Sequence, residues 1–490
     1  MNGQRGLVRL WTLALLVFWP LLAEGLEQQD FTLDNGLRVI LVREAKAPVL
    51  IAQVWYRVGS MDESEGKSGL SHMLEHMMFQ GTPAVPAGEF HRLVGENGGE
   101  DNASTTYDAT NYYIKLAADR AELALRLEAD RMRHLSLEEG AFRSENLVVQ
   151  EERRSRTDAD PTSRFMEQFR ARIYGSHPYG RPVIGWMADI QQLTVEDLRE
   201  WYHRYYAPNN AILVLVGDME LATMAERVRH HFGDIPPLAD LPPPAPLPPF
   251  QPPVAAVDDA AKGVVPVAAE RFEVTDKAVT LPLWHGSYPV PTLLTAGKED
   301  VYALDLLSTI LGGGSSSRLY KRLILEEGLA VSASASYGGY SRSWELFSIS
   351  ALPKSFQAAP AFAAAPEGSP ASPSPAHPPE EHPVAVTGKA ALPRIEQIVL
   401  QEVARLAREP VEERELQRAK NSMIAQHIFS RDSIHEMSAE IGYLSANGLD
   451  WLSLIENYPA DIAAVRAEDV QRAAARYLRP ERLTVGVLQP

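Results

Sequence analysis

Residues 69–82 read GLSHMLEHMMFQGT and set His72, Glu75 and His76 within one stretch of two helical turns. Two imidazoles four residues apart lie one turn apart on the same side of a helix, close enough to grip a single metal ion. A carboxylate three residues after the first imidazole stands beside that ion, where it can take a proton from water. Leu70, Met73, Leu74, Met77 and Met78 recur at helical spacing as one apolar stripe. That stripe is centred nearly opposite His72, Glu75 and His76. One face can thus anchor the helix in a core while the other presents two nitrogens and an oxygen. An open catalytic zinc site needs a third protein ligand. The chain has no cysteine, so that ligand must be His, Asp or Glu. The run SENLVVQEERR offers Glu145, Glu151 and Glu152, of which Glu145 and Glu152 share a helix face. Spacing leaves all three open. Other histidines, such as His134, His203 and His230, lack matching partners and read as surface or core residues.

These residues need elements to position them. FTLDNGLRVILV places an Asn-Gly turn signal between apolar runs, and LIAQVWYRV and TNYYIKLA read as strands. Helices are expected over 118–134 and 136–156, the second opened by the capping-box pattern Ser136-x-x-Glu139. Residues 196–208, EDLREWYHRYYAP, align without gaps on residues 468–480, EDVQRAAARYLRP, and each copy runs into a buried-type strand. Five identities in that window predict a duplicated domain. The expected class is α+β, in two duplicated domains, each a mainly antiparallel sheet packed with helices.

The length of 490 residues suits two such domains. Ten prolines in residues 236–253 and eight in 360–383 cannot lie in sheet or helix interiors. The expected divisions are therefore a first domain at 26–235, a Pro-rich linker at 236–265, and a second domain at 266–490 with a low-complexity insertion at about 357–390. Arg5 and Arg9 precede an apolar run at 10–22 and the small residues Ala23 and Gly25, the layout of a secretory signal peptide over 1–25. The apolar run is too short for a spanning helix. An exported, periplasmic protein with no membrane span after cleavage is expected. A net charge of −17 argues against a nucleic-acid partner.

HMLEH, followed by a glutamate in ENLVVQEERR, resembles the pitrilysin, insulysin and mitochondrial processing peptidase family of zinc metallopeptidases. FTLDNGLRVILV, GGEDNASTTYDATNYY, HPYGRPVIG, YYAPNNAILVLVGD and GGGSSSRLYKRL extend the resemblance over nearly all of the chain after residue 25. The resemblance implies His72, His76 and Glu152 as ligands of one zinc ion per chain and Glu75 as the general base for a zinc-bound water. It implies Glu145 as a supporting glutamate behind the ligands. Asn102 and Ala103 fall where such proteins run an edge strand along an extended peptide substrate. The implied activity is that of a zinc metalloendopeptidase, a hydrolase. The alternative is a weakly active or inactive peptide-binding scaffold of the same fold. The length is that of half a clamshell. The family's second-half Arg and Tyr are Ile324 and Val331 in this chain, which implies a heterodimer whose homologous partner supplies both groups.

Overall fold

The structure, a computed structural model, describes residues 26–243, 270–354 and 388–490. The expected signal segment at 1–25, most of the expected linker and nearly all of the expected insertion lie outside the described residues. Among the described residues, no helix is long and apolar enough to cross a membrane.

Two sheets carry the fold. The first contains β1 (Gln28–Thr32), β2 (Arg38–Arg43), β3 (Val49–Tyr56), β4 (Glu100–Thr105), β5 (Thr110–Ala117) and β6 (Ala211–Gly217). Their spatial order is β1-β2-β6-β3-β5-β4. The second contains β7 (Arg271–Thr275), β8 (Leu283–Val290), β9 (Ala330–Ser336), β10 (Glu345–Pro353) and β11 (Thr484–Gln489), in the order β7-β11-β8-β10-β9. Each sheet has one parallel pair, β2 with β6 and β7 with β11, and every other pairing is antiparallel. Matching β2 to β7, β6 to β11, β3 to β8, β5 to β10 and β4 to β9 superimposes the two pairing schemes. The helix Val195–Tyr205 with its following turn Pro208–Asn210 recurs as Ala467–Tyr477 with Pro480–Arg482. The two α+β halves are repeats of one design.

Local chemistry accounts for the elements around the site. Gly36, at φ 87°, lets the chain reverse between β1 and β2, and the Asn35 side chain ties that turn to the carbonyls of Phe232 and Ile235. Strands β3 and β6 are buried almost throughout, because helices cover both faces of the first sheet. The capping box expected at Ser136 does not form. The helix runs Glu139–Arg153 with Glu138 at its N-cap and no side-chain cap. The Ser136 amide is instead bonded to Gly81 O and Leu137 is buried, which holds this stretch out of the helix.

The halves exchange covering helices. Ile434–Ala446, from the second half, lays Met437, Ile441 and Leu444 on Ile51, Trp55, Val214 and Val216 of the first sheet. Pro161–Tyr174, from the first half, lays Phe165, Phe169 and Ile173 against Leu283, Leu346 and Leu488 of the second. Glycines admit the largest groups. A Cβ on Gly442 would lie 2.0 Å from Trp55 Nε1, and one on Gly486 would lie 2.7 Å from Phe165 Cζ. Each core is thus completed by the other half.

Candidate metal centre

His72, Glu75 and His76 lie on the helix Leu70–Met77. Met73, Leu74 and Met77 on its other face are fully buried in the first core, so the polar face has a fixed direction. The helix starts at Gly69, whose φ of 88° is accessible to glycine at little cost. A Cβ there would meet Ile184 O at 2.5 Å, and one on Gly185 would meet Ser68 O at 2.4 Å. The 182–186 turn therefore presses directly on the start of the helix. Arg153, buried, donates to Gly185 O and makes a bidentate pair with Glu167. The same turn thus locks the end of the Glu139–Arg153 helix to the start of the His72 helix. Glu63 adds a second clamp by accepting the amides of Gly69 and Ser71 at 2.9 and 2.7 Å.

This frame brings Glu152 to the two imidazoles. One ligand atom each from His72, His76 and Glu152 lie within 4.8 Å of one another. Glu152 Oε2 is 3.3 Å from His76 Nε2 and 3.8 Å from His72 Nε2. Ligands at about 2.0–2.1 Å from a tetrahedral ion stand about 3.4 Å apart, close to the Glu152–His76 spacing, and two imidazoles with a carboxylate are a donor set suited to zinc. Glu151, the neighbouring alternative, points away and pairs with Arg154 at the surface. Glu145 lies behind the ligands, with Oε1 2.8 Å from His76 Nδ1 and Oε2 accepting from Gln80. Among the described residues His72 Nδ1 is buried without a hydrogen-bond partner.

Electrostatics separate the two histidines. Burial, and the neighbouring His76, hold His72 well below the ordinary imidazole range. Burial also lowers His76, but hydrogen bonds to Glu145 and Glu152 outweigh it and hold that ring up at about 9. The His76 hydrogen bond keeps Glu152 below the usual carboxylate range. Burial raises Glu75 above it, against the pull of a hydrogen bond from the Thr105 hydroxyl.

Asn102 and Ala103 lie on β4, whose outer edge carries no strand among the described residues. The Ala103 amide is bonded to Asn102 Oδ1 at 2.9 Å rather than to a neighbouring strand. The edge thus presents one amide held by a side chain that an incoming strand can displace. Ile324 is half-buried against the second core, while Val331 is 52% exposed on β9. Sequence reasoning passed over Thr105, Arg156 and Gln80. None belongs to a spacing pattern. Arg156, one turn beyond Glu152, lies 2.5 Å from Glu152 Oε1, the oxygen turned away from the histidines.

The chain is similar to known proteins along both halves. Residues 38–186 match the family described as insulinase (peptidase family M16), and residues 192–365 match the domain described as peptidase M16 inactive domain. Over 308 residues the chain is 36% identical to a zinc protease, PqqE, of Helicobacter pylori, covering 63% of this chain and 66% of that protein. It is 31% identical over 311 residues to an uncharacterized zinc protease, Mb2805c, of Mycobacterium bovis, covering 63% and 67%. The matched stretch thus spans about two thirds of these relatives. A crystal structure of a protease from Helicobacter pylori is similar with a TM-score of 0.79 at 28% identity, over 95% of this chain and 100% of that one. Two M16-type domains around a His-x-x-Glu-His helix, with sequence matches along both, place the chain in peptidase family M16.

Proposed function

We propose that the chain is an exported zinc-dependent endopeptidase that cuts extended peptides or unfolded segments. The observation that carries this reading is the convergence of His72, His76 and Glu152, with Glu75, on the helix of the two histidines, bonded to Thr105 at the end of β4. His72, His76 and Glu152 are the residues that would hold the metal. A zinc ion there supplies a Lewis acid that polarises the scissile carbonyl and acidifies water. Glu145 orients His76 through Nδ1, so that Nε2 faces Glu152. Asn102 and Ala103 take the peptide as an added strand on β4. Glu75 accepts the proton of the attacking water and returns it to the leaving amine, a role worth about 10²–10⁴-fold. The signal-like segment at 1–25 supports export to the periplasm.

A homologous partner chain completes the site in this reading. Ile324 and Val331 can neither donate a hydrogen bond nor balance developing negative charge. Leu325, 65% exposed, and Val331 add apolar surface to that region of the second half.

The test is hydrolysis of unfolded casein by the zinc-loaded chain, with and without a chelator, beside Glu75→Gln. Chelation is expected to abolish cleavage, and zinc to restore it. Glu75→Gln is expected to keep zinc, fold and peptide binding while losing turnover at least a hundredfold. Cleavage that resists chelation, or turnover in Glu75→Gln within a few-fold of the unaltered chain, would overturn the reading.

A further inference from the structure

We propose that Thr105 is the positioning residue for the Glu75 carboxylate, so that the strand receiving the peptide also aims the proton acceptor. This inference rests on the proposed base role of Glu75 and deepens it.

Glu75 stands on the polar face of a two-turn helix, and a glutamate side chain has three rotatable bonds before its carboxylate. Packing of the helix fixes its Cβ but not its oxygens. That carboxylate accepts a side-chain hydrogen bond from Thr105 Oγ1, at 2.5 Å from Oε2. Thr105 is the last residue of β4 and pairs with Thr110 on β5, so its own backbone is held by the sheet. The turn that follows is equally constrained. Thr106 N donates to Ala109 O, and the amides of Asp108 and Ala109 both donate to Thr106 Oγ1. Ser60 N and Met61 N then bind the carbonyls of Thr106 and Tyr107. Asp108 accepts from the Tyr179 hydroxyl and from the Arg342 amide of the second half. A β-branched residue in such a frame has a restricted χ1, and its hydroxyl has a set direction.

The geometry has a consequence for where a peptide is cut. Ala103 and Thr105 are two residues apart on one strand, about 7 Å along it. They point to the same side of the pleat. A peptide paired to the free edge at Asn102 and Ala103 is therefore registered against the residue that holds the base. Strand addition and proton transfer share one rigid element, which is how a positioning contact lowers the cost of reaching a reactive geometry.

The experiment compares Thr105→Val, which keeps the shape and removes the hydroxyl, with Thr105→Ser, which keeps the hydroxyl. Casein cleavage by the zinc-loaded full chain is measured beside zinc content and peptide affinity. Thr105→Val is expected to lower kcat about tenfold or more with KM and zinc content unchanged, and Thr105→Ser to stay within about threefold of the unaltered chain. A second measurement needs no turnover. In a double-mutant cycle of denaturant unfolding, Thr105→Val and Glu75→Leu are expected to be non-additive because they remove one shared contact. Additive unfolding effects, or Thr105→Ser as impaired as Thr105→Val, would remove Thr105 from the role. An active Glu75→Gln would instead overturn the base assignment itself. An inactive Glu75→Gln beside a fully active Thr105→Val would sink only the present inference.

Discussion

His76 and Glu145 are joined at 2.8 Å through Nδ1, and the same imidazole turns Nε2 to Glu152 at 3.3 Å. A ring held from behind has one nitrogen left for a metal, and its orientation is set before any ion arrives. Among the described residues, His72 Nδ1 has no hydrogen-bond partner of that kind. The two imidazoles are thus unequal, one held by a carboxylate and the other not.

Removing a ligand and removing its support should therefore differ in size. His72→Ala, His76→Ala and Glu152→Ala are each expected to lose zinc on dialysis, measured by metal analysis. Glu145→Gln should retain zinc but bind it about 10–100-fold more weakly in chelator competition. Glu151→Ala should leave zinc binding unchanged, since Glu151 pairs with Arg154 at the surface. Loss of zinc in Glu151→Ala with full occupancy in Glu152→Ala would exchange the two residues.

Glu63 makes stability depend on pH. Burial pushes its carboxyl up to about 8, although the amides of Ser71 and Gly69 pull it down. The folded state then binds this proton more tightly than the unfolded chain, whose glutamate titrates at about 4.3. The resulting stabilisation is fully present below that value and is lost as pH rises through about 8. The stability difference between the unaltered chain and Glu63→Ala should narrow from pH 5 to pH 9 in urea unfolding. A difference that widens with pH would mean that the amides hold the carboxylate rather than the acid.

The exchange of helices between halves gives a packing prediction. Gly442→Ala drives a methyl group into the Trp55 indole, where a Cβ would lie 2.0 Å from Nε1. Overpacking of that kind costs about 1–3 kcal/mol. Chemical denaturation should show this loss, with both halves unfolding together. A neutral Gly442→Ala would mean that the Ile434–Ala446 helix can lift from the first sheet without cost.

A partner chain should raise the rate. Tyr337, the nearest phenol in sequence to Val331, already donates to Pro291 O, so it does not stand in for a free hydroxyl. One missing oxyanion donor costs about 10²–10³ in rate. Gel filtration and casein cleavage should show a slow enzyme alone and a faster one with a homologue carrying Arg and Tyr at the positions of Ile324 and Val331. Full activity from the chain alone, or no loss when the partner's two residues are replaced, would exclude this arrangement.

The one-dimensional spacing of residues determined a good part of this molecule. His72, Glu75 and His76 share a helix face because 3.6 residues make a turn, and the Met and Leu residues opposite them say which face is buried. The match of 196–208 to 468–480 announced the repeat, since the same helix, turn and strand recur there. Contacts between distant segments obey no such period. Spacing left Glu151 and Glu152 open, and the family resemblance implied Glu152. The tertiary structure shows how Glu152 reaches the imidazoles, through the Arg153 and Gly185 contacts that fix the rotation of its helix. Only it placed Thr105 on Glu75, 30 residues away in sequence. It alone showed each half covering the other's sheet, because the fit of Gly442 to Trp55 and of Gly486 to Phe165 is a matter of shape between surfaces, which side-chain volume and helix rotation set together.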